Sequence, residues 1–391
     1  MPRLRGMTWN HPRGYQPMLA ATAALRERHP QLEIDWDSRS LQGFEDAPIS
    51  ELAERYDLIA IDHPFVGEAA GVLRPLESLL APSFLAEQRD STVGASHRSY
   101  YWQGSQWALA MDAAAQVSAY RPDVLGDRIP PRNWAEVVAL ADELPAGWRI
   151  AFAANPTHLL ATFFTLCHQH APREEQGAGF ADGRPGWFTP DGLDREVAIP
   201  ALASLRELLA RSDPSGVEWD PIALFDAMAE GAPIGYAPFV FGYANYARAD
   251  FGQHRLAFAD APVLGTAPGT LLGGVGVAVS ASTRFPEEAA RFVAQICAPD
   301  FQRTDYVRSG GQPGHRAAWT DSAADELCGG FMSGTIATLD AAFLRPRLPG
   351  YPRFQQQAGT ALHRGVLAGR PPERILVELD GLWRSLVQLS G

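Results

Sequence analysis

The sequence predicts an α/β protein of two lobes, and three observations carry that prediction. The chain has 391 residues, more than one hydrophobic core usually supports, so roughly two domains of about 150 to 200 residues are expected. Its first sixty residues read as strand, helix, strand, helix, strand. The same alternation starts again after residue 133 and continues to the end of the chain.

Leu4 to Trp9 is short and mostly apolar and leads into the loop Asn10-His11-Pro12-Arg13-Gly14-Tyr15, which predicts a buried strand. Pro17 suits the first position of a helix. Met18, Leu19, Thr22 and Leu25 outline that helix up to His29-Pro30, after which Leu32, Ile34 and Trp36 alternate as a strand does. A short helix from Ile49 to Glu54 precedes Tyr56 to Asp62, an apolar run of the length of a buried parallel strand. In open parallel sheets ligands sit beyond the carboxyl ends of the strands, so the loops 10–16 and 62–68 are the expected ligand-facing edge.

Asn133-Trp134-Ala135-Glu136 reads as a capping-box variant opening a helix with Val137, Val138, Leu140, Ala141 and Leu144 on its buried stripe. A strand follows at Ile150 to Ala154, then helices from His158 to His170, Pro200 to Arg211 and Pro221 to Glu230, the last closed by Gly231. Strands at Ile234 to Ala237 and Val275 to Val279, a helix opened by Pro286, and a final helix from Pro372 complete the pattern. Residues 172–192, rich in Gly, Pro and Asp, read as an exposed excursion.

Composition excludes several function classes. A formal charge of −12 disfavours nucleic-acid or anionic-membrane surfaces, which call for a basic face. All 33 basic residues are arginine, so lysine-dependent phosphate loops and Schiff-base chemistry are ruled out. Cys167, Cys297 and Cys328 are widely spaced and read as buried small hydrophobes rather than metal ligands or disulfide partners. Neither a metal nor a cofactor is expected. No G-x-S-x-G, H-E-x-x-H or complete G-x-G-x-x-G occurs; Gly177-Ala178-Gly179 lies in the excursion, and His168 and His170, two apart on a helix, cannot share a face. No catalytic residue is assigned.

Candidate binding residues cluster at the strand ends. Trp9, His11, Arg13 and Tyr15 combine flat faces with hydrogen-bond donors, as a polar ring-shaped ligand requires, although the same residues could plug the sheet edge. Asp62 offers a carboxylate to hydroxyl groups, with His63 beside it and Phe65 as an apolar wall; a local turn is the alternative use of Asp62. His158 stands with Asn155 and Thr157 at a helix start. Tyr236, Phe239 and Tyr243 follow a buried strand, and Gly273 and Gly274 permit close backbone approach.

Several segments, in order, resemble extracellular solute-binding proteins of family 1, the maltose-binding-protein type. They are Asp57 to Asp62 with Leu73-Arg74-Pro75-Leu76, Gly104 to Asp112, Tyr120-Arg121-Pro122-Asp123-Val124-Leu125, and Pro131 to Glu136. Gly273 to Val279 before Pro286-Glu287-Glu288, and Gly311-Gln312-Pro313-Gly314, continue the likeness across about 300 residues. Ala110 stands where that family usually has proline, and Asn133 where it has threonine. The resemblance implies the type II periplasmic-binding-protein fold: two discontinuous lobes, 1–111 plus 265–313 and 114–260 plus 316–391, with a hinge of crossings near 111–113, 261–264 and 313–315. It places Asp112 between the lobes as a ligand carboxylate.

The function implied is reversible binding of a carbohydrate-type solute by a monomer that delivers it to the permease subunits of an ABC importer, in the periplasm. The opening residues show no export signal, so a cytoplasmic enzyme or sensor built on the fold is the competing expectation. A small organic anion is the competing ligand, since His11, Arg13 and His158 could supply donors or positive charge.

Overall fold

Strand β1 (Arg3–Trp9) pairs in parallel with β2 (Glu33–Arg39) along its whole length and with β3 (Leu58–Ile61) at Gly6 and Met7. Helix α1 (Pro12–Arg28) makes the crossover, and α2 (Ile49–Arg55) leads into β3. The computed structural model describes residues 2–41, 43, 48–177, 183–265 and 269–390; Ala178 and Gly179 of the glycine-rich excursion lie outside them.

Helix α1 starts earlier than Pro17 because a cap forms upstream. His11 Nδ1 accepts the backbone N–H of Arg13 at 3.1 Å, and Pro12 fills the first helical position, where its missing N–H costs nothing. Arg13, Gly14 and Tyr15 are therefore helical, and Pro17 is buried inside the helix. At Gly14 a Cβ would stand 2.3 Å from the Trp9 indole, so glycine lets the helix lie directly on that ring.

Five further strands complete the sheet: β4 (Leu109–Tyr120), β5 (Arg149–Ile150), β6 (Ile234–Phe241), β7 (Ala257–Ala259) and β8 (Leu272–Val279). Their order is β2-β1-β3-β8-β4-β6-β5, with β7 also on β4. Strands β4 and β8 run antiparallel through both halves of the molecule. Gly276–Val279 of β8 pairs with β3, while its other end reaches Ala115 of β4, whose last residues pair with β6 and β7. The β4–β8 register shifts between Val275 and Gly276, and Gly274 at φ +104° occupies a conformation that side chains resist.

One hydrophobic cluster gathers residues from Leu4 to Met111 and from Val275 to Tyr306, including α7 (Pro286–Cys297). Two others form the second lobe. In the first of these, α3 (Trp134–Glu143) contributes Val137 and Leu140, and α4 (Pro156–His170) is flanked by α5 (Arg195–Arg211) and α9 (Tyr351–Leu367), with α10 (Pro372–Ser390) against α9. In the second, α6 (Pro221–Glu230) and α8 (Phe331–Asp340) cover β6 and β7. Ala261 and Leu271 belong to the second lobe's cores, and Leu264 N–H donates to Gln169 of α4. Ala261, Leu264 and Leu271 thus hydrogen-bond and pack with the second lobe.

Residues 312–315 are tied to Met111 and Ala113 by glutamines. Gln302 Nε2 donates to Met111 O at 3.0 Å while its Oε1 accepts the N–H groups of Gly314 and His315. Gln312 likewise donates to Ala113 O at 2.7 Å and accepts from Ala244 N–H in the second lobe. Buried amides satisfied at both ends fix the spacing of the crossing segments.

Candidate functional site

Between the lobes lies a cavity of about 70 Å³. Trp9, Arg13, Leu41 and Asp62 wall it from the first lobe, and Thr157, His158, Phe164, Phe241, Tyr243, Arg345 and Gln355 from the second. Its floor is the crossing strands at Ala114 and Gly273 to Val275. Its lining therefore draws on both lobes and on the strands that join them.

The Arg13 guanidinium projects from the first turn of α1. Nε donates to Asp112 Oδ2 at 2.8 Å, Nη2 to Asp112 Oδ1 at 2.5 Å, and Nη1 to Gly242 O at 2.7 Å. Its carbon lies 4.4 Å from the centre of the Tyr243 ring. Burial works against the guanidinium charge, but the charge and hydrogen bonds of Asp112 outweigh it.

Across the cavity, Asp62 follows β3 directly. Its Oδ1 accepts His63 N–H at 2.8 Å and Arg345 Nη2 at 2.6 Å. Burial alone would raise this carboxyl; the Arg345 charge, helped by His63, holds it down at about 2. Arg345 sits in an extended stretch between α8 and α9, and its Nη1 donates to Gln355 while its buried Nε has no hydrogen-bond partner among the described residues. Two positions on, Arg347 donates to the carbonyls of Arg98 and Tyr101 in the first lobe, and Gly350 N–H donates to Glu68. This stretch lies like a strap over the cleft.

The histidines here are neutral at pH 7. His158 falls to about 3, through burial and then the Arg345 charge; His63 falls to about 4 for the same two reasons, and His11 to about 3 through burial and Arg13. His158 Nδ1 meets the Asn155 amide oxygen at 2.8 Å and therefore carries the proton, leaving Nε2 an acceptor.

Of the residues expected from sequence, Trp9, Arg13, Asp62, His158, Gly273 and Gly274 come together in the lining. His63 and Asp112 lie one layer behind, under Asp62 and Arg13. His11 does not line the cavity: it caps α1, and its ring meets the Tyr243 ring edge-on at 4.8 Å. Tyr15 and Phe65 pack on the first lobe's core. Tyr236 and Phe239 are buried in the second lobe's core, because β6 runs on to Phe241 instead of ending at Ala237. From this stretch Phe241 and Tyr243 reach the cavity.

Among the described residues no cluster of three or more His, Cys, Asp or Glu could hold a metal ion, and the three cysteines are buried and unlinked. No described helix is long and apolar enough to cross a membrane.

No family model matches the chain, and no curated protein does. Solved structures do. The maltose-bound MalE3 of T. maritima superposes with a TM-score of 0.80 at 15% identity, covering 99% of this chain and 100% of that one. The Thermus thermophilus maltotriose binding protein, bound with maltotriose, gives 0.76 at 20% identity with complete coverage of both chains. An ABC transporter solute binding protein from Agrobacterium vitis S4, with bound D-mannitol, gives 0.77 at 14% identity, covering 100% of this chain and 99% of that one. The fold is the two-lobed type II periplasmic-binding-protein architecture, with discontinuous lobes and a hinge.

Proposed function

We propose that this protein captures a small, neutral, polyhydroxylated solute, a sugar or sugar alcohol, between its lobes and releases it unchanged. The observation that carries this reading is the charge balance of the cleft. Arg13 and Arg345 each face a carboxylate, Asp112 and Asp62, and the nearby histidines are uncharged. Such a lining offers donors and acceptors without net charge, and Trp9, Phe241 and Tyr243 add flat apolar faces.

The likeness to structures holding maltose, maltotriose and mannitol supports the same solute class. A small organic anion fits less well, because both guanidinium charges are already answered. We place the exchange of solute in opening and closing about the β4–β8 crossing, with lobes of about 1–111 plus 276–313 and 114–271 plus 316–391. Delivery of the closed form to the permease subunits of an ABC importer, from the periplasm and as a monomer, completes the reading.

Isothermal calorimetry with D-glucose, maltose, D-mannitol, ribitol, D-gluconate and D-glucosamine tests it. Saturable heat from at least one neutral probe is expected. Binding of gluconate or glucosamine with no neutral probe bound would overturn the reading.

A further inference from the structure

We infer that Asp62 and Arg345 form a charge filter applied as the cleft closes, Asp62 rejecting anionic analogues of the solute and Arg345 rejecting cationic ones. The inference rests on the solute class proposed above and adds the residues that set its polarity.

The two groups arrive from opposite lobes: Asp62 stands just past β3, and Arg345 is carried by the strap of the second lobe. Both are in the cavity lining and nearly excluded from water, so a charge brought in with the solute is felt strongly by each. Arg13 cannot take this role. Two of its nitrogens are held by Asp112 and the third by Gly242 O, which leaves it bonded whatever enters. Arg345 spends one nitrogen on Asp62 and one on Gln355, and its buried Nε remains open for a hydroxyl oxygen.

A neutral polyol leaves the Asp62–Arg345 pair intact. A carboxylate drawn to Arg345 must share that guanidinium with Asp62 and places two negative charges in one dry space; an ammonium drawn to Asp62 does the reverse. Rejection by like charge in a desolvated site is a repulsive element of specificity. Because the pair forms only when the lobes meet, an open cleft would admit any of the three classes, and closure would sort them.

The experiment measures D-glucose, D-gluconate and D-glucosamine by calorimetry on the full chain as wild type, Asp62→Asn and Arg345→Gln. The asparagine keeps the shape of residue 62 and its acceptor for His63 N–H while removing the charge. Gluconate is expected to bind Asp62→Asn at least about tenfold more tightly than wild type, a change of about 1.4 kcal/mol. Glucosamine is expected to gain similarly in Arg345→Gln, which keeps the idea testable should Asp62→Asn not fold.

Folded variants that show neither gain, or a wild type that binds gluconate as tightly as glucose, would overturn the filter. The function proposed above fails separately, if the wild type binds charged probes and no neutral one. With a neutral probe bound by the wild type, a gain of gluconate affinity in Asp62→Asn supports the filter.

Discussion

Arg13 and Asp112 meet through two parallel hydrogen bonds in a site closed to water, joining the first helix of one lobe to the strand that leaves it. Removing one member of such a pair strands the other's charge, which typically costs about 3 to 5 kcal/mol. Asp112→Ala is expected to lose that much in urea unfolding. A loss below about 1 kcal/mol would mean that water reaches the site.

Gly274 supports both the floor of the cleft and the crossing of β8. A Cβ there would stand 2.6 Å from Asp112 O, on a backbone with φ of +104°. Gly274→Ala should cost about 1 to 3 kcal/mol of stability and weaken solute binding, whereas Gly71→Ala, where a Cβ meets nothing nearby, should leave binding unchanged. Equal effects of the two substitutions on affinity would refute a special demand at the crossing.

The buried histidines set a pH dependence with a definite sign. His11, His63 and His158 have folded pKa values of about 3 to 4, below the ordinary 6.5, so the unfolded chain takes up protons first as pH falls. Their contribution is complete above pH 6.5 and is lost as pH drops toward 3 to 4, at about 1.4 kcal/mol per histidine per pH unit. Asp62, held at about 2 against an ordinary 3.8, adds a further loss below 3.8. The melting temperature should fall steadily between pH 6.5 and 4.5, and less steeply in His158→Gln; a flat profile would contradict the burial of these rings.

Phe241 is a wall of the cleft whose ring also lies 2.8 Å from where a Gly273 Cβ would be. Phe241→Ala should weaken binding of a neutral sugar at least about tenfold, by loss of a flat apolar contact. Tyr15→Phe, on the first lobe's core, should not. Titration calorimetry on both variants decides whether Phe241 touches solute.

Much of this arrangement is legible in the sequence where periodicity and turn chemistry are strong. Asp62 emerges because a short, wholly apolar run ends beside it, and Gly231 marks the end of α6 as expected, at φ +102°. Strand β4 escapes notice because it is buried on both faces and rich in alanine, so it shows no alternation. Tyr243 is legible beside the strand, whereas Tyr236 and Phe239 fall two to seven positions before the rings that line the cavity, since the strand-end rule depends on where the strand ends. Arg345 carries no local signal: it lies in an extended Arg-Pro-Arg stretch, and its carboxylate partner is 283 positions away. Only the tertiary structure brings those two together.

The place of β8 between β3 and β4 bears on how the chain is made. Ile61 leaves the ribosome early, but its hydrogen-bonding neighbour Gly276 appears only after most of the second lobe has been synthesised. Until then the nascent first lobe exposes an open strand edge, a surface prone to sticking to other unfinished chains. The lobe that is translated first is thus the one that must wait to be completed.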